Sequence, residues 1–428
     1  METLIKGDNM SENTVAMPQE KLSSVDRWRY YITFFAFALL WMGGLALVAS
    51  VLLPQHLKDV AGDEKTATAI FTVLNSVTAF ASLISNLLFG NLSDRTRSRF
   101  GRRTPWILGG GIVGGLSLFL TGMFDNPWII GFWYCVCMFG LNAMIAPIIA
   151  ALSDRVPEDM RATMSAFMSL GTTVGTSMGT IIAAFFINMT VPGFLVAGIL
   201  MGISGLAAVL IWPTEPSAAN LPPVESGLGD LLKSFIPPTK GARDFWYAFL
   251  GRTFIIFGYY MILNYQLYIL QDHIGMSKEA SAKTIAIMST VIMVFGLIGS
   301  LGSGYISDKI GKRKLPVAMA SICMGLGYLL PWVFRTEWSM FGFAALAGFG
   351  YAVYGAVDQA LNIDVLPNPE EAGKDLGILN IATTLGQMVG PILTGVIVIS
   401  VGYNLVFPVA IAFSVLAVVF IYMIRSTK

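Results

Sequence analysis

Twelve apolar stretches, each about 20 residues long and nearly free of charge, limit what this chain can become. They fall at roughly 30–54, 67–92, 105–124, 128–151, 162–187, 192–212, 244–270, 282–306, 315–334, 338–361, 375–400 and 403–424. A helix rises about 1.5 Å per residue, so each stretch covers the ~30 Å hydrocarbon core of a bilayer. The expected fold class is therefore an all-α membrane protein with twelve transmembrane helices. Composition agrees. Of 428 residues, 12% are charged and 55% hydrophobic, about half the charge of an average soluble domain, too little to clothe a water-soluble surface. A net charge of +1 argues against nucleic acid as a partner. Glycine and proline recur inside the apolar runs, as membrane helices tolerate.

The polar segments set domain order and orientation. Residues 1–26 are polar, without the apolar core and small-residue cleavage site of a signal peptide, and read as a cytoplasmic tail. A proline-rich polar stretch, 213–243, separates span six from span seven and reads as a cytoplasmic linker between a bundle at 27–212 and another at 244–428. Of 27 Lys and Arg residues, only Lys58, Lys65, Lys278, Lys283 and Arg335 fall in the loops opposite the termini, and Arg252 lies within a span. This asymmetry places both termini in the cytoplasm of a plasma membrane. Cys135, Cys137 and Cys323 show no metal or disulfide spacing. His56 and His273 read as solvated loop residues beside outer helix ends. No cofactor or metal site is expected.

The two halves repeat one another. GNLSDR at 90–95 follows span two and GYISDK at 304–309 follows span eight; both lead through a basic cluster to a proline, Pro105 or Pro316, at a helix start. Asp154 precedes span five as Asp364 precedes span eleven, each with a proline three residues on. TTVGTSMG at 172–179 matches TTLGQMVG at 383–390. Two motif pairs at equivalent places imply pseudo-symmetric six-helix bundles related about the membrane normal.

On these residues the chain resembles the major facilitator superfamily over almost its whole length. DKIGKR at 308–313 fits the superfamily loop signature G-x-x-x-D-R/K-x-G-R/K-R/K. The first-half copy carries four extra residues, and its SRFGRRTP at 98–105 is similar to the glycoside–pentoside–hexuronide carriers and the sucrose–proton symporters. Asn142, Pro147 and Asp154 match the sucrose group's spacing, although Ile149 stands where that group has arginine. Spans two and four lack the coupling aspartates of melibiose-type carriers.

The resemblance implies a gate. An acid at the end of span two is stabilised by the positive N-terminus of a facing helix. In the family that helix is span eleven, met when the carrier opens outward. Asp94 with Arg95, Arg102 and Arg103 would form this latch, Asp308 with Lys309 and Arg313 would mirror it against span five, and Asp154 and Asp364 would belong to the same gating set.

Away from the span ends stand one base, Arg252, and one acid, Asp358. Charges there are costly and mark function by default. The resemblance implies that spans one, four, seven and ten line a central cavity, so Arg252 and Asp358 are expected to meet, either coupling transport to a proton or serving as a strut. Arg252, Tyr260, Asn264 and Tyr268 share a face of span seven by four-residue steps; Tyr351, Tyr354 and Asp358 share one of span ten. Together with Trp41, Asn75, Asn142 and Gln387, with Gln266 behind them, Tyr260, Asn264 and Tyr354 make a candidate sugar site; amides in spans also serve as interhelical glue. Gly171, Gly175 and Gly179 form a packing seam on which the halves could rock. No nucleotide motif or paired nucleophile and base accompanies them, so an enzyme is not expected. The reading is a monomeric secondary carrier, a proton-coupled sugar or glycoside symporter working by rocker-switch alternating access; the alternative is an exporter or uniporter of a drug or organic acid.

Overall fold

A computed structural model describes residues 23–219, 237–238, 242–310, 314–367 and 372–425. The tail before residue 23 and most of the linker lie outside the described residues. Among the described residues twelve helices are long and apolar enough to cross a membrane: α1 (Ser24–Ala61), α2 (Glu64–Arg95), α3 (Thr104–Thr121), α4 (Pro127–Arg155), α5 (Glu158–Phe185), α6 (Thr190–Ile211), α7 (Arg243–Leu263), α8 (Lys278–Ile310), α9 (Lys314–Val333), α10 (Glu337–Asp364), α11 (Ala372–Ser400) and α12 (Val406–Met423). Most outrun their apolar cores because the flanking polar residues are helical as well. Local chemistry sets several starts. Asp63 Oδ1 accepts from the Thr66 amide at 2.9 Å, and Asn126 Oδ1 accepts from that of Trp128 at 2.9 Å.

The first six helices pack in a pattern that the last six repeat. α1 lies on α5 and α6, α3 on α4 and α6, and α2 on α4. In the second half α7 lies on α11 and α12, α9 on α10 and α12, and α8 on α10. The halves touch through α5 against α8 and α2 against α11, which are again equivalent pairs. The outer wall is apolar: Leu210, Val77 and Leu301 are exposed, and Trp28, Trp128 and Trp338 stand out near helix ends, where indoles suit the membrane interface. We call the end where α1 begins and α12 stops the near end. There Arg29 Nε donates to Ile211 O at 2.7 Å, and the Arg425 amide donates to Asp244 Oδ2 at 2.9 Å.

α1 and α7 are both distorted towards the far end. In α1 residues Val48–Leu52 form a π turn, closed by the Leu53 amide on Val48 O. Pro54 follows, and its ring crowds the preceding turn. α7 stops at Leu263 and resumes as a short turn, Gln266–Tyr268, and a π turn, Ile269–His273. Arg252, Tyr260, Asn264 and Tyr268 therefore do not share one continuous face, as the four-step spacing predicts.

Two further expectations are corrected. The glycine seam of α5 packs within its own half: a Cβ on Gly171 or Gly175 would overlap the α1 backbone at Phe35 or Leu39, and one on Gly179 would strike Gly43 O. It holds α1 close and is not a surface between halves. The histidines are not solvated. His56 is 6% exposed, hydrogen-bonds Phe124 O at 2.9 Å and meets the Phe194 ring edge-on; His273 lies against the rings of Tyr403 and Phe407.

Candidate functional site

Two buried charges, one from α7 and one from α10, form a pair. Arg252 lies nine residues into α7, roughly 13 Å from its near end at 1.5 Å per residue. Asp358 lies six residues before the end of α10, at a comparable depth. Arg252 NH1 is 2.7 Å from Asp358 Oδ2, and the two residues are 7% and 4% exposed. Taking two charges from water demands that every remaining donor and lone pair find a partner. α11 and α10 supply them: Arg252 Nε donates to Thr383 Oγ1 at 2.9 Å, Arg252 NH2 to Asn380 Oδ1 at 3.0 Å, and Asn362 Nδ2 to Asp358 Oδ2 at 2.9 Å. Asn362 Oδ1 is buried beside this network without a hydrogen-bond partner, and the buried Tyr354 hydroxyl lies close to it. Sequence reasoning missed Asn362, Asn380 and Thr383. The signals were present: Asn362 is one turn beyond Asp358, and Thr383 begins the repeated TTLG segment.

An aromatic shelf continues from the pair towards the far end. Tyr259 and Tyr351 stack at 4.2 Å with 5° between their planes, and Tyr260 meets Tyr351 edge-on at 6.3 Å. Tyr351 and Tyr354 lie 6.4 Å apart. Gln387 of α11, exposed, donates from Nε2 to the Tyr260 hydroxyl at 3.1 Å. Ring faces beside amide and hydroxyl groups suit a ligand with both C–H faces and hydroxyls.

The first-half candidates are not gathered in the same way. Asn142 is engaged by α2 and its own helix: Nδ2 donates to Ser82 Oγ at 3.0 Å and Met138 O at 2.9 Å, and Oδ1 accepts from Asn86 at 3.1 Å. Asn75 Nδ2 donates to Phe71 O, one turn back. Trp41 is 8% exposed and its Nε1 is buried without an acceptor. Asn264 is half-buried, Gln266 is buried, and Tyr268 donates its hydroxyl to Pro54 O at 3.3 Å.

That last contact belongs to a seam across the halves at the far end. Lys58 pairs with Asp272, Lys278 with Asp59 at 3.0 Å, and Gln271 donates to Gln55 at 2.9 Å. Thr72 and Tyr265 join their hydroxyls at 2.7 Å. Gln271 and Asp272 lie in the π turn of α7, and Gln55, Lys58 and Asp59 in the helical turns that follow the π turn of α1.

At the near end Asp94 pairs with Arg103 of its own half at 2.6 Å, and Arg103, 3% exposed, also donates to Ser93 Oγ at 2.6 Å. Arg95, Arg102, Lys309 and Asp364 each take part in polar or charged contacts. Arg313 and the side chains of Asp154 and Asp308 lie outside the described residues. No group of three or more His, Cys, Asp or Glu comes together among the described residues.

A two-fold-repeated bundle of membrane-crossing helices, carrying shielded charges between its helices, defines a multi-pass membrane protein. The chain belongs to the Major Facilitator Superfamily, whose profile matches residues 30–323 and 248–428. It is similar to a Na(+), Li(+), K(+)/H(+) antiporter of Planococcus maritimus, at 28% identity over 141 residues, which is 31% of this chain and 32% of that protein. It is also similar to a lactose permease of Lactobacillus delbrueckii subsp. bulgaricus, at 41% identity over 70 residues, 16% of this chain and 10% of the permease. These matches span a third or less of the relatives' own lengths. Among solved structures, a bacterial homologue of the human lysosomal transporter Spinster, inward-facing and unoccupied, superposes with a TM-score of 0.73 at 15% identity, covering 94% of this chain and 98% of that one. At that identity the likeness speaks for the fold.

Proposed function

We propose that this protein is a proton-coupled symporter that brings a sugar or glycoside across the plasma membrane by rocker-switch alternating access. The observation that carries the reading is the buried Arg252–Asp358 pair and its neutral partners. Asp358 is the proton acceptor. Once it is protonated, its hold on Arg252 weakens, and the guanidinium keeps Thr383 and Asn380 as acceptors. The two protonation states then differ in their contacts, which is what a coupling ion needs in order to bias two conformations. Substrate binds on the shelf of Tyr260, Tyr351, Tyr354 and Gln387, facing Trp41 of α1; Asn142 and Asn75 act as struts. The similarity to a lactose permease segment supports the sugar class. The near end is the cytoplasmic side, so the sealed seam of Lys58, Asp59, Asp272 and Lys278 is the outer gate and the conformer faces inward. Bundles at 27–212 and 244–428, joined by the linker 213–243, rock as units of one monomer, and the two Asp-bearing loops hold the opposite state closed.

The test is uptake of radiolabelled lactose, then of a panel of disaccharides and glycosides, by proteoliposomes under an imposed proton gradient. Asp358→Asn abolishes accumulation and leaves counterflow intact. Survival of uphill uptake in that variant removes Asp358 from coupling. Accumulation driven by an outward proton flux moves the assignment to an antiporting exporter, and gradient-independent equilibration moves it to a uniporter.

A further inference from the structure

In the first half, the end of the lengthened loop and the start of α3 wrap a carboxylate. Glu215, four residues beyond the end of α6 in the first stretch of the linker, reaches into the loop between α2 and α3. Its Oε1 accepts from the amides of Arg102 at 2.8 Å and Arg103 at 3.0 Å. Its Oε2 accepts from the amides of Arg103 at 3.1 Å and Thr104 at 2.8 Å, and from the Thr104 hydroxyl at 2.8 Å. These are the unpaired donors at the start of α3, where an anion is favoured. Gly101 completes the cradle with φ 95°, a conformation side chains rarely adopt, and a Cβ there would overlap the Glu215 carboxyl group. The Ala218 amide donates to Ser98 O at 3.0 Å, so the linker strand is fastened on both sides of the acid. Arg155 adds to the same strand, donating to Pro213 O and lying over the Trp212 ring at 4.5 Å.

The cradle bears on the gate through Arg103. Glu215 fixes the Arg103 backbone, and the Arg103 guanidinium holds Asp94. Asp94 stands in the last turn of α2, where the helix dipole disfavours an acid. It is 49% exposed and needs a cation to stay there. We propose that Glu215 is a positioning residue that parks Asp94: by pinning Arg103 it keeps Asp94 in its own half, and so favours the conformer in which the far end is sealed. This rests on the gating role of Asp94. Loss of the pin loosens Arg103, frees Asp94 to seek the positive N-terminus of a helix in the other half, and shifts the population towards the state open at the far end.

The test needs no substrate, so its outcome is separate from that of the symport reading. Hydrogen–deuterium exchange is measured on the ligand-free protein in lipid nanodiscs. Glu215→Gln, which replaces one acceptor oxygen with a donor facing donors, speeds exchange at 98–104. It also speeds exchange at the distant seam segments 54–62 and 268–278, by about threefold or more as the open population grows. Gly101→Ala displaces the carboxylate without removing it and reproduces both effects. In the Asp94→Asn, Glu215→Gln double variant the loop still exchanges fast, while the seam returns to the rate of Asp94→Asn alone. Unchanged seam rates in both single variants, or an equal acceleration in the double variant, overturn the proposal and leave Glu215 as a local strut.

Discussion

Neutralising Arg252 and Asp358 one at a time and then together reports what the pair contributes. In Asp358→Asn the Arg252 guanidinium keeps Thr383 and Asn380 but loses the Asp358 carboxylate as its counter-charge, while remaining over nine-tenths buried. In Arg252→Gln the carboxylate keeps Asn362 as a neutral donor. Stranding one buried charge costs about 3–5 kcal/mol, and insertion scales place Asp or Arg at a helix centre at about 2.5–3.5 kcal/mol. We therefore expect each single change to destabilise by about 3 kcal/mol, a factor of roughly 150 in the folding equilibrium. The double variant strands no charge, keeps the amide contacts and loses about 1 kcal/mol, the scale of a neutral hydrogen bond. The coupling energy is then about 5 kcal/mol. Reversible unfolding in mixed micelles at neutral pH, followed by tryptophan fluorescence for all four proteins, measures it. Additivity within about 0.5 kcal/mol would refute the reasoning, because it would mean that each charge is solvated by itself.

Two further outcomes follow from the packing. Gly179→Ala places a methyl against Gly43 O and should destabilise by about 1–3 kcal/mol, the cost of overpacking. Gly109→Ala, with open space around it, should change stability by less than about 1 kcal/mol; equal effects would mean that α1 and α5 are not in close contact. His273, outside the apolar spans, has its pKa pushed below the ordinary histidine value by burial and then by the Arg335 charge. The unfolded chain thus binds the extra proton more readily, so stability rises with pH between the depressed value and about 6.5 and is lost on acidification through that window. Thermal melts from pH 7.5 to 5 should show this slope, and His273→Gln should flatten it; an unchanged slope in the variant would place the titration elsewhere.

Twelve spans and a repeated half were legible in order because hydrophobic length and motif spacing are local properties, written residue by residue. The meeting of Arg252 and Asp358 was also legible, since one acid and one base stranded in apolar helices have few other ways to be tolerated. Asn142 illustrates the limit. A buried amide reads alike whether it faces a ligand or a neighbouring helix, and the choice lies with Ser82 and Asn86 of α2. Tyr268 failed for a backbone reason: the helix breaks between Leu263 and Gln266, which ends the four-residue step, and nothing in the residues of span seven announces where the ladder slips. Glu215 was hidden because its partners are main-chain amides more than a hundred positions away, and amides carry no residue signature.

The sequence by itself determined that the chain crosses a membrane twelve times, that its halves are related, and that one charge pair lies among the spans. These follow from the free energy of moving side chains and backbone out of water, which depends on residue type and run length. Tertiary structure alone decided which end is sealed, which amides are struts, where the glycine seam of α5 packs and what the lengthened loop encloses. Those outcomes depend on close approach between segments far apart in the chain, where a few tenths of an ångström separates a hydrogen bond from a clash.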